Sequence, residues 1–383
     1  MQCRRTNLLM AEPLPFTGPD PRQLSAGEGE LFRRRTRVAT LLDLAENVDA
    51  ERRAEIAREI ISLGECALPA LNRAAAGRRE NAAALSRSLV RMLIPDEIGR
   101  EIIVGLARER QNYRVENGAI QLARLSYPTL PVLRVVRDLD ELGKRAGENV
   151  CSALGVPRKD IKRAAAAQPG HFVRLLGEFW REEGFHGNTE NYYNDRNSYL
   201  PDVLERKTGL PIALSVVYLA LARRLFLCAD GIGLPGHFIV RVTMTDKDGE
   251  RYALVDPFDG ARPIGLDECR RRVEAVGHPF IPENHLKPVT AREILARMCN
   301  NLLALFDNQK KTLEAERVVT VLAYLQPSDP IPLLLRAERR LRRGDRKGAR
   351  ADFERANALD PNGPIGRTAL ELMIRMGYEN PFA

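Results

Sequence analysis

One histidine and one aspartate near the middle of the chain have the types and the order of a proton-transfer pair. His237 lies at the start of an apolar run over residues 238–242, and Asp256 follows a second run over residues 252–255. A turn-forming segment at residues 246–249 separates the two runs, which is typical of a β-hairpin. Because the ends of an antiparallel pair meet, we expect a hydrogen bond between His237 and Asp256. Such a pair accepts and returns the proton of a nucleophile in hydrolases.

The nucleophile that would complete this pair is not evident. Ser215 lies one turn into the apolar helix that precedes the hairpin, but it lacks the sharp turn that exposes an activated serine. Cys228 lies at the far end of that helix, and Cys269 follows the aspartate. Two alternatives therefore stay open for each partner: His237 belongs to a pocket or is a structural residue, and Asp256 orients the histidine or caps a turn.

A dense polar loop precedes the same helix. Asn194, Arg196 and Asn197 are of types that favour turns, caps and charge networks. The loop either holds the helix in place or lines a groove beside the histidine. In the second case Pro211 and Tyr218 of the helix would line the groove as well.

The elements that must position these residues are mostly helical. The helix from Pro211 is apolar on nearly every side, which is typical of a central helix covered by a sheet and by other helices. Helical spacing begins at residue 38, and residues 56–71 have the pattern of a HEAT-like pair, with an irregular bundle as the alternative. Helices return after residue 291, and the small residues within residues 344–361 have tetratricopeptide-repeat spacing.

Composition limits the classes of partner. The chain has 383 residues and a net charge of +8, with arginine clusters at residues 33–35, 270–272 and 339–343. Acidic residues surround these clusters, which favours solvated helix faces over a nucleic-acid surface, although the latter stays an alternative. The other four histidines lack ligand spacing with carboxylates or thiols, so the sequence predicts no metal site and no cofactor.

The compartment follows from the cysteines and the hydropathy. The six cysteines are scattered, without the paired spacing of a disulfide framework or a zinc site. No apolar stretch approaches the ~20 residues of a membrane span. The sequence therefore predicts a cytoplasmic protein that does not enter a membrane.

Three segments carry a family resemblance. They are YYNDRNSYLPDVLERKTGLPIALSVVYLALARRL from Tyr192, GIGLPGHFIVRV from Gly231 and LVDPFDG from Leu254. Together they resemble the SirB-type transglutaminase-like family with a tetratricopeptide-repeat C-terminus. The resemblance implies an α+β fold that is mostly helical, in which a central helix packs on a small antiparallel sheet in a transglutaminase-like (papain-like) core. It also implies that His237 and Asp256 are the second and third members of a catalytic triad.

The same resemblance places the triad cysteine at about Pro211, which has no nucleophile. We therefore predict a non-catalytic protein that binds a protein partner through its helical surfaces. The alternative is an amidase or peptidase that uses Ser215 or a displaced cysteine with the His–Asp pair. The predicted segments are a flexible tail over 1–37, a HEAT-like module over 38–110, a transglutaminase-like domain over 111–290 and a TPR-like domain over 291–383.

Overall fold

The computed structural model describes residues 26–110, 113–246 and 249–377. The chain forms two compact units, residues 1–90 and residues 91–383. The predicted separations at residues 110 and 290 do not coincide with this division and stay predictions.

The first unit is helical. Its helices are α1 (Ala26–Ala45), α2 (Ala50–Leu63), α3 (Leu68–Ala75) and the first part of α4 (Glu80–Glu109). Asp49 begins α2, because its side chain accepts a hydrogen bond from the Arg52 amide at 2.8 Å. Gly64 ends α2 with a φ of 71°, a conformation that glycine adopts without steric cost. The HEAT-like assignment of residues 56–71 stays a prediction.

The predicted flexible tail needs a correction. Residues 26–37 form the first half of α1, and residues 1–25 lie outside the described residues. The sequence pattern gave no signal here because this half of the helix buries almost nothing: Leu31 and Phe32 are 38% and 40% exposed. Burial begins at Val38, where the helical spacing was predicted to start.

The second unit contains the sheet and the remaining helices. After α4 its helices are α5 (Val115–Ala123), α6 (Val132–Leu154), α7 (Ile161–Ala167), α8 (Pro169–Glu182), α9 (Leu200–Arg206), α10 (Pro211–Arg224), α11 (Leu266–Ala275), α12 (Pro282–His285), α13 (Ala291–Asn308), α14 (Thr312–Leu325), α15 (Pro330–Arg342), α16 (Arg346–Leu359) and α17 (Pro364–Arg375). Its strands are β1 (His186–Gly187), β2 (Thr208–Gly209), β3 (Cys228–Ile232), β4 (Ile239–Asp246), β5 (Gly249–Asp256), β6 (Arg262–Ile264) and β7 (Pro288–Val289). The protein is thus mostly helical with a small antiparallel sheet.

The sheet has the order β6-β5-β4-β3-β7, with all neighbours antiparallel. The predicted hairpin is confirmed, since β4 pairs with β5 and Val240 lies opposite Val255. Residues 247 and 248 of its predicted turn lie outside the described residues. Helix α10 packs on β3 and β4, and every residue from Pro211 to Tyr218 is buried, as expected of a central helix.

Helices α13 to α17 pack each on the next along the chain. Phe353 and small residues such as Ala337, Ala349 and Ala356 form a core among α14–α17. The arginine cluster at residues 339–343 is not simply a solvated face: Arg339 is buried and donates to both carboxylate oxygens of Asp307, at 2.6 and 2.7 Å. The tetratricopeptide assignment of these helices stays a prediction.

Among the described residues, no helix combines the length and the apolar character that crossing a membrane requires.

Candidate functional site

The His–Asp pair exists in the fold. His237 Nε2 lies 2.9 Å from Asp256 Oδ2. The carboxylate is fully buried, and the histidine side chain is 11% exposed. Asp256 Oδ1 also accepts a hydrogen bond from the Phe258 amide at 3.0 Å. Both alternatives for Asp256 therefore hold at once, because one oxygen orients the histidine and the other caps the turn after β5.

The loop between β3 and β4 places His237. The histidine precedes β4 by two residues and does not start the strand. Its amide donates to the Leu234 carbonyl at 3.1 Å. Gly236 has a φ of 70°, and a Cβ there would lie 2.9 Å from Val276, so the turn requires glycine. Arg297 donates to the carbonyls of Leu234 and His237, both at 2.8 Å, and locks the loop to α13.

Sequence reasoning missed Arg272 of α11, which contacts both members of the pair. Its Nη1 lies 2.9 Å from His237 Nε2, and its Nη2 lies 2.8 Å from Asp256 Oδ2. The same Nη2 donates to Glu268 Oε1 at 2.8 Å. Interpreting residues 270–272 as a solvated face was wrong for Arg272, whose guanidinium bridges two carboxylates. The i, i+4 spacing of Glu268 and Arg272 was the available signal.

Further charges surround this arginine. Arg262 of β6 donates to Glu268 Oε2 at 2.9 Å and to Asp259. Hydrogen bonds from Arg262 and Arg272 lower the pKa of Glu268 from its ordinary value of 4.5 to about 2. We use the name His237 cluster for five residues: His237, Asp256, Arg262, Glu268 and Arg272.

The candidate nucleophiles lie elsewhere or are bonded to other groups. Pro211 is the first residue of α10. The Ser215 hydroxyl is fully buried and donates to the Phe238 carbonyl at 3.4 Å, not to the histidine. Burial raises the pKa of Cys269 to about 11 and that of Cys299 to about 12. Cys3 lies outside the described residues, and within the described ranges no serine hydroxyl or cysteine thiol is hydrogen-bonded to His237.

Cys228 is the first residue of β3 and is exposed. The pKa of the Cys228 thiol is raised, mainly because burial removes water from it and secondly because the nearby Asp230 repels the thiolate. In the part of the chain that the structure describes, no group of three or more histidine, cysteine or acidic side chains has the arrangement of a metal site.

The polar loop before α10 is held together from within. The buried Asn197 side chain donates to the carbonyls of Asn191 and Tyr192, at 2.7 and 3.1 Å. The Asn197 carbonyl in turn accepts from the Leu210 amide, directly before α10. The Asn194 side chain caps the short 3₁₀ turn at residues 195–197.

Charges tie this loop to α9, since Arg196 pairs with the buried Asp202, which also accepts from Tyr127 at 2.8 Å. The structural alternative for the loop therefore fits these contacts.

Three of the predicted groove residues do not line an open groove. Asn197, Pro211 and Tyr218 are buried, and the Tyr218 ring packs edge-on against Trp180 at 5.6 Å. A different set of aromatic rings reaches the histidine. Phe258 lies 5.8 Å from the His237 ring and 6.4 Å from Tyr192, which in turn contacts Tyr193. The Tyr193 side chain is 72% exposed.

The comparisons with known proteins match this region of the chain. Residues 134–300 match the family model of the Transglutaminase-like superfamily. A "UPF0162 protein" of Xylella fastidiosa strain 9a5c is 37% identical over 184 residues, which cover 47% of this chain and 64% of the relative. A "UPF0162 protein" of Pseudomonas aeruginosa is 28% identical over 207 residues, covering 52% of this chain and 69% of the relative.

One human relative matches over a shorter segment. "F-box only protein 21" of Homo sapiens is 32% identical over 125 residues, which cover 32% of this chain and 19% of that protein. No solved structure matches the chain. The chain spans less than two thirds of the length of the Xylella proteins that it matches. From the family match and the His–Asp geometry, we conclude that residues 134–300 form a transglutaminase-like domain.

Proposed function

We propose that the transglutaminase-like domain is a non-catalytic binding module for an extended segment of a protein partner. The observation that carries the proposal is the position of Arg272. Its guanidinium contacts the histidine nitrogen and the aspartate oxygen through which a triad would act. At the head of α10, where the family resemblance places the triad cysteine, the chain has Pro211.

The arginine contact bears directly on proton transfer. For His237 to act as a base at Nδ1, its Nε2 must carry the proton and donate it to Asp256. Arg272 Nη1 carries hydrogens only, so it attracts Nε2 only when that nitrogen is unprotonated. Asp256 Oδ2 lies at the same 2.9 Å from Nε2 and can only accept a hydrogen bond, so Arg272 competes with the aspartate for the nitrogen through which a triad would act. Whenever Nε2 accepts from Arg272, the proton lies on Nδ1, and the ring then offers a hydrogen-bond donor to a ligand and no base to a nucleophile.

The cysteines support the same proposal. A thiolate is the reactive form of cysteine, and a raised pKa keeps the thiol protonated at neutral pH. The pKa values of Cys228, Cys269 and Cys299 are all raised by burial. Arg241 near Cys228 and Arg272 near Cys269 lower these pKa values only in part, so burial still determines the direction of the shift.

The surface beside the cluster suits a peptide. Tyr193 and Tyr192 lead from solvent to Phe258 and His237 in a chain of edge-on contacts. Exposed tyrosines supply large, rigid contact area at protein interfaces. The human relative shares only 19% of its length with this chain and is named for an F-box, which is consistent with use of the domain as one module among others.

The finer assignments belong to this proposal too. We assign the chain to the SirB-type branch, with α13–α17 as tetratricopeptide-like helices that add to the partner surface. Their packing each on the next supports this assignment. We place the protein in the cytoplasm, because its six cysteines lack paired spacing.

Chemical labelling tests the non-catalytic part. The native full chain is treated with iodoacetamide and with a fluorophosphonate, and labelled residues are identified by mass spectrometry. We expect slow labelling at exposed Cys228 that is equal in the native chain and in His237→Ala, and no labelled serine. Cys228→Ser is the control that removes this background. Stoichiometric labelling of any residue that disappears in His237→Ala would overturn the proposal in favour of an amidase or peptidase.

Peptide selection tests the binding part. A displayed peptide library is selected against the full chain, and the affinities of the selected peptides are measured. We expect Tyr193→Ala to weaken binding at least about tenfold, as for an aromatic hot spot. Tyr252→Ala removes a tyrosine that is 46% exposed on β5 and serves as the matched control. Equal effects of both substitutions, or no selected peptide, would contradict the proposal.

A further inference from the structure

A cavity of about 1230 Å³ lies at the C-terminal end of α10. Residues of α5, β3, β7 and α13 complete its wall, and no member of the His237 cluster lines it. Its apolar part includes Leu219, Leu227, Val289 and Ile294. This volume exceeds the about 300–1,000 Å³ of most ligand pockets, so the cavity has room for a small molecule.

The wall carries more arginines than acids. We call the cavity the arginine cavity, because its wall contains Arg110, Arg114, Arg223 and Arg292. The two acids in the wall, Glu116 and Asp230, already have partners.

Glu116 is 2% exposed and pairs with Arg223 and, at 3.2 Å, with Arg224. Asp230 lies 3.4 Å from Arg241. Within the described residues, neither Arg110 nor Arg114 has an ion pair.

The arginines are close enough to affect one another. The pKa of Arg223 is lowered to about 10, first because burial removes water from the guanidinium and then because Arg224 and Arg114 repel it. Glu109 opposes this shift only in part. The four arginines of the wall thus outnumber its two acids, and two of these arginines, Arg223 and Arg114, repel each other.

Two helices also begin at the wall. Helix α5 starts at Val115 after Arg114, which supplies no side-chain cap, although the Arg114 carbonyl accepts a hydrogen bond from the Asn117 amide at 2.8 Å. Helix α13 starts at Ala291, and its capping box satisfies only the Glu293 amide and the Thr290 amide. Each first turn also contains an acid, Glu116 or Glu293, but Glu116 is paired with Arg223 and Glu293 belongs to the capping box. The helix starts and the arginines without an ion pair therefore still favour an anion.

Phe226 gives the cavity an exposed aromatic ring. It follows α10 with a φ of 61°, a left-handed conformation that is costly for a bulky residue and common for glycine. The side chain is nevertheless 52% exposed and buries little in return. Strain of this kind is retained at sites where a side chain serves binding.

We propose that the arginine cavity binds a small organic phosphate with an aromatic base, such as a nucleoside monophosphate. The phosphate lies between Arg114 and Arg292, near the starts of α5 and α13. The base stacks on Phe226, and the apolar wall excludes water. The site is separate from the peptide surface beside His237 and does not depend on the function proposed for that surface.

Calorimetric titration of the full chain tests this proposal. We expect adenosine monophosphate to bind, and adenosine or inorganic phosphate alone to bind at least about tenfold more weakly. Arg114→Ala should weaken binding about tenfold or more, as expected for loss of a charged hydrogen bond. Arg163→Ala on α7 makes the same change of charge at an exposed position outside the cavity, and should leave binding unchanged.

A second variant separates binding from folding. Phe226→Gly places glycine in the left-handed conformation, so the melting temperature should not fall while the affinity for adenosine monophosphate does. Absence of binding at millimolar ligand, or equal loss in the two arginine variants, would overturn the proposal. Tighter, Arg114-dependent binding of a single-stranded oligonucleotide would overturn it in favour of a nucleic-acid surface.

Discussion

The His237 cluster and the arginine cavity differ in how their arginines are neutralised. In the cluster, Arg272 donates to Asp256 and Glu268, and Arg262 donates to Glu268 and to Asp259. In the cavity, the wall has four arginines and two acids: Glu116 pairs with Arg223 of the wall and Asp230 with Arg241, and neither acid pairs with Arg110 or Arg114. Both regions lie against α10, one through the bond from Ser215 to the Phe238 carbonyl and the other through its last turn.

Arginines that are paired with carboxylates stabilise the fold, whereas arginines without an ion pair are available to a ligand. An arginine between buried carboxylates contributes to stability, because removing any partner leaves a desolvated charge. An arginine without a partner contributes nothing to the native state and can lower its stability by repelling its neighbours. The two regions should therefore respond in opposite ways to loss of a charge.

The largest effect is expected for Asp256→Ala. The substitution leaves Arg272 and His237 without the buried carboxylate between them, which should cost about 3–5 kcal/mol of unfolding free energy. Urea unfolding followed by fluorescence measures it, because Trp180 is the single tryptophan and its Nε1 donates to the Pro257 carbonyl at 3.0 Å. The control Asp259→Ala, at a side chain that is 51% exposed, should cost less than about 1 kcal/mol. Similar losses in both variants would mean that the buried carboxylate does not hold the cluster.

Arg272→Ala should have the next largest effect, about 2 kcal/mol, since its guanidinium is partly exposed and water can replace some of its contacts. The loss appears as a lower urea midpoint in the same fluorescence measurement. Arg270→Ala changes an arginine in the same helix whose side chain is 54% exposed, and should cost about 0.5 kcal/mol or less. If the two variants were equally stable, the cluster would not differ from a solvated helix face.

The His–Asp pair was predictable because hairpin geometry brings the ends of β4 and β5 together, whatever the rest of the fold does. The contact of Arg272 with the pair was not predictable, because an exposed helix pair has the same spacing as Glu268 and Arg272. Only the position of α11 in the fold brings the Arg272 guanidinium to Asp256. The burial of Asn197 was missed for a similar reason. Polar side chains in a turn give no signal of what covers them.

The acid dependence of the cluster follows from Glu268. Its pKa is about 2 in the folded protein and near 4.5 without its arginine partners. A lowered folded-state pKa means that the stabilisation is fully present above about pH 4.5 and is lost as the pH falls toward 2. Glu268→Gln should therefore be less stable than the native chain at pH 7, with a difference that shrinks between pH 4.5 and 2. Urea midpoints across this range measure it.

The control for that series is Glu371→Gln, an exposed carboxylate on α17. It should follow the native chain at every pH. A Glu268→Gln difference that stays constant down to pH 2 would show that the arginines do not hold the carboxylate in its charged form.

The smallest effect is expected in the arginine cavity, and its sign is reversed. Arg114→Ala removes a charge that repels Arg223 and has no ion-pair partner among the described residues, so stability should be unchanged or rise by up to about 0.5 kcal/mol. The same urea measurement gives the value, with Arg163→Ala as the reference for loss of one exposed arginine. A loss above about 1 kcal/mol would mean that Arg114 stabilises the fold as Arg272 does. The contrast between arginines paired with carboxylates and arginines without an ion pair would then fail, because the charges of both regions would stabilise the fold.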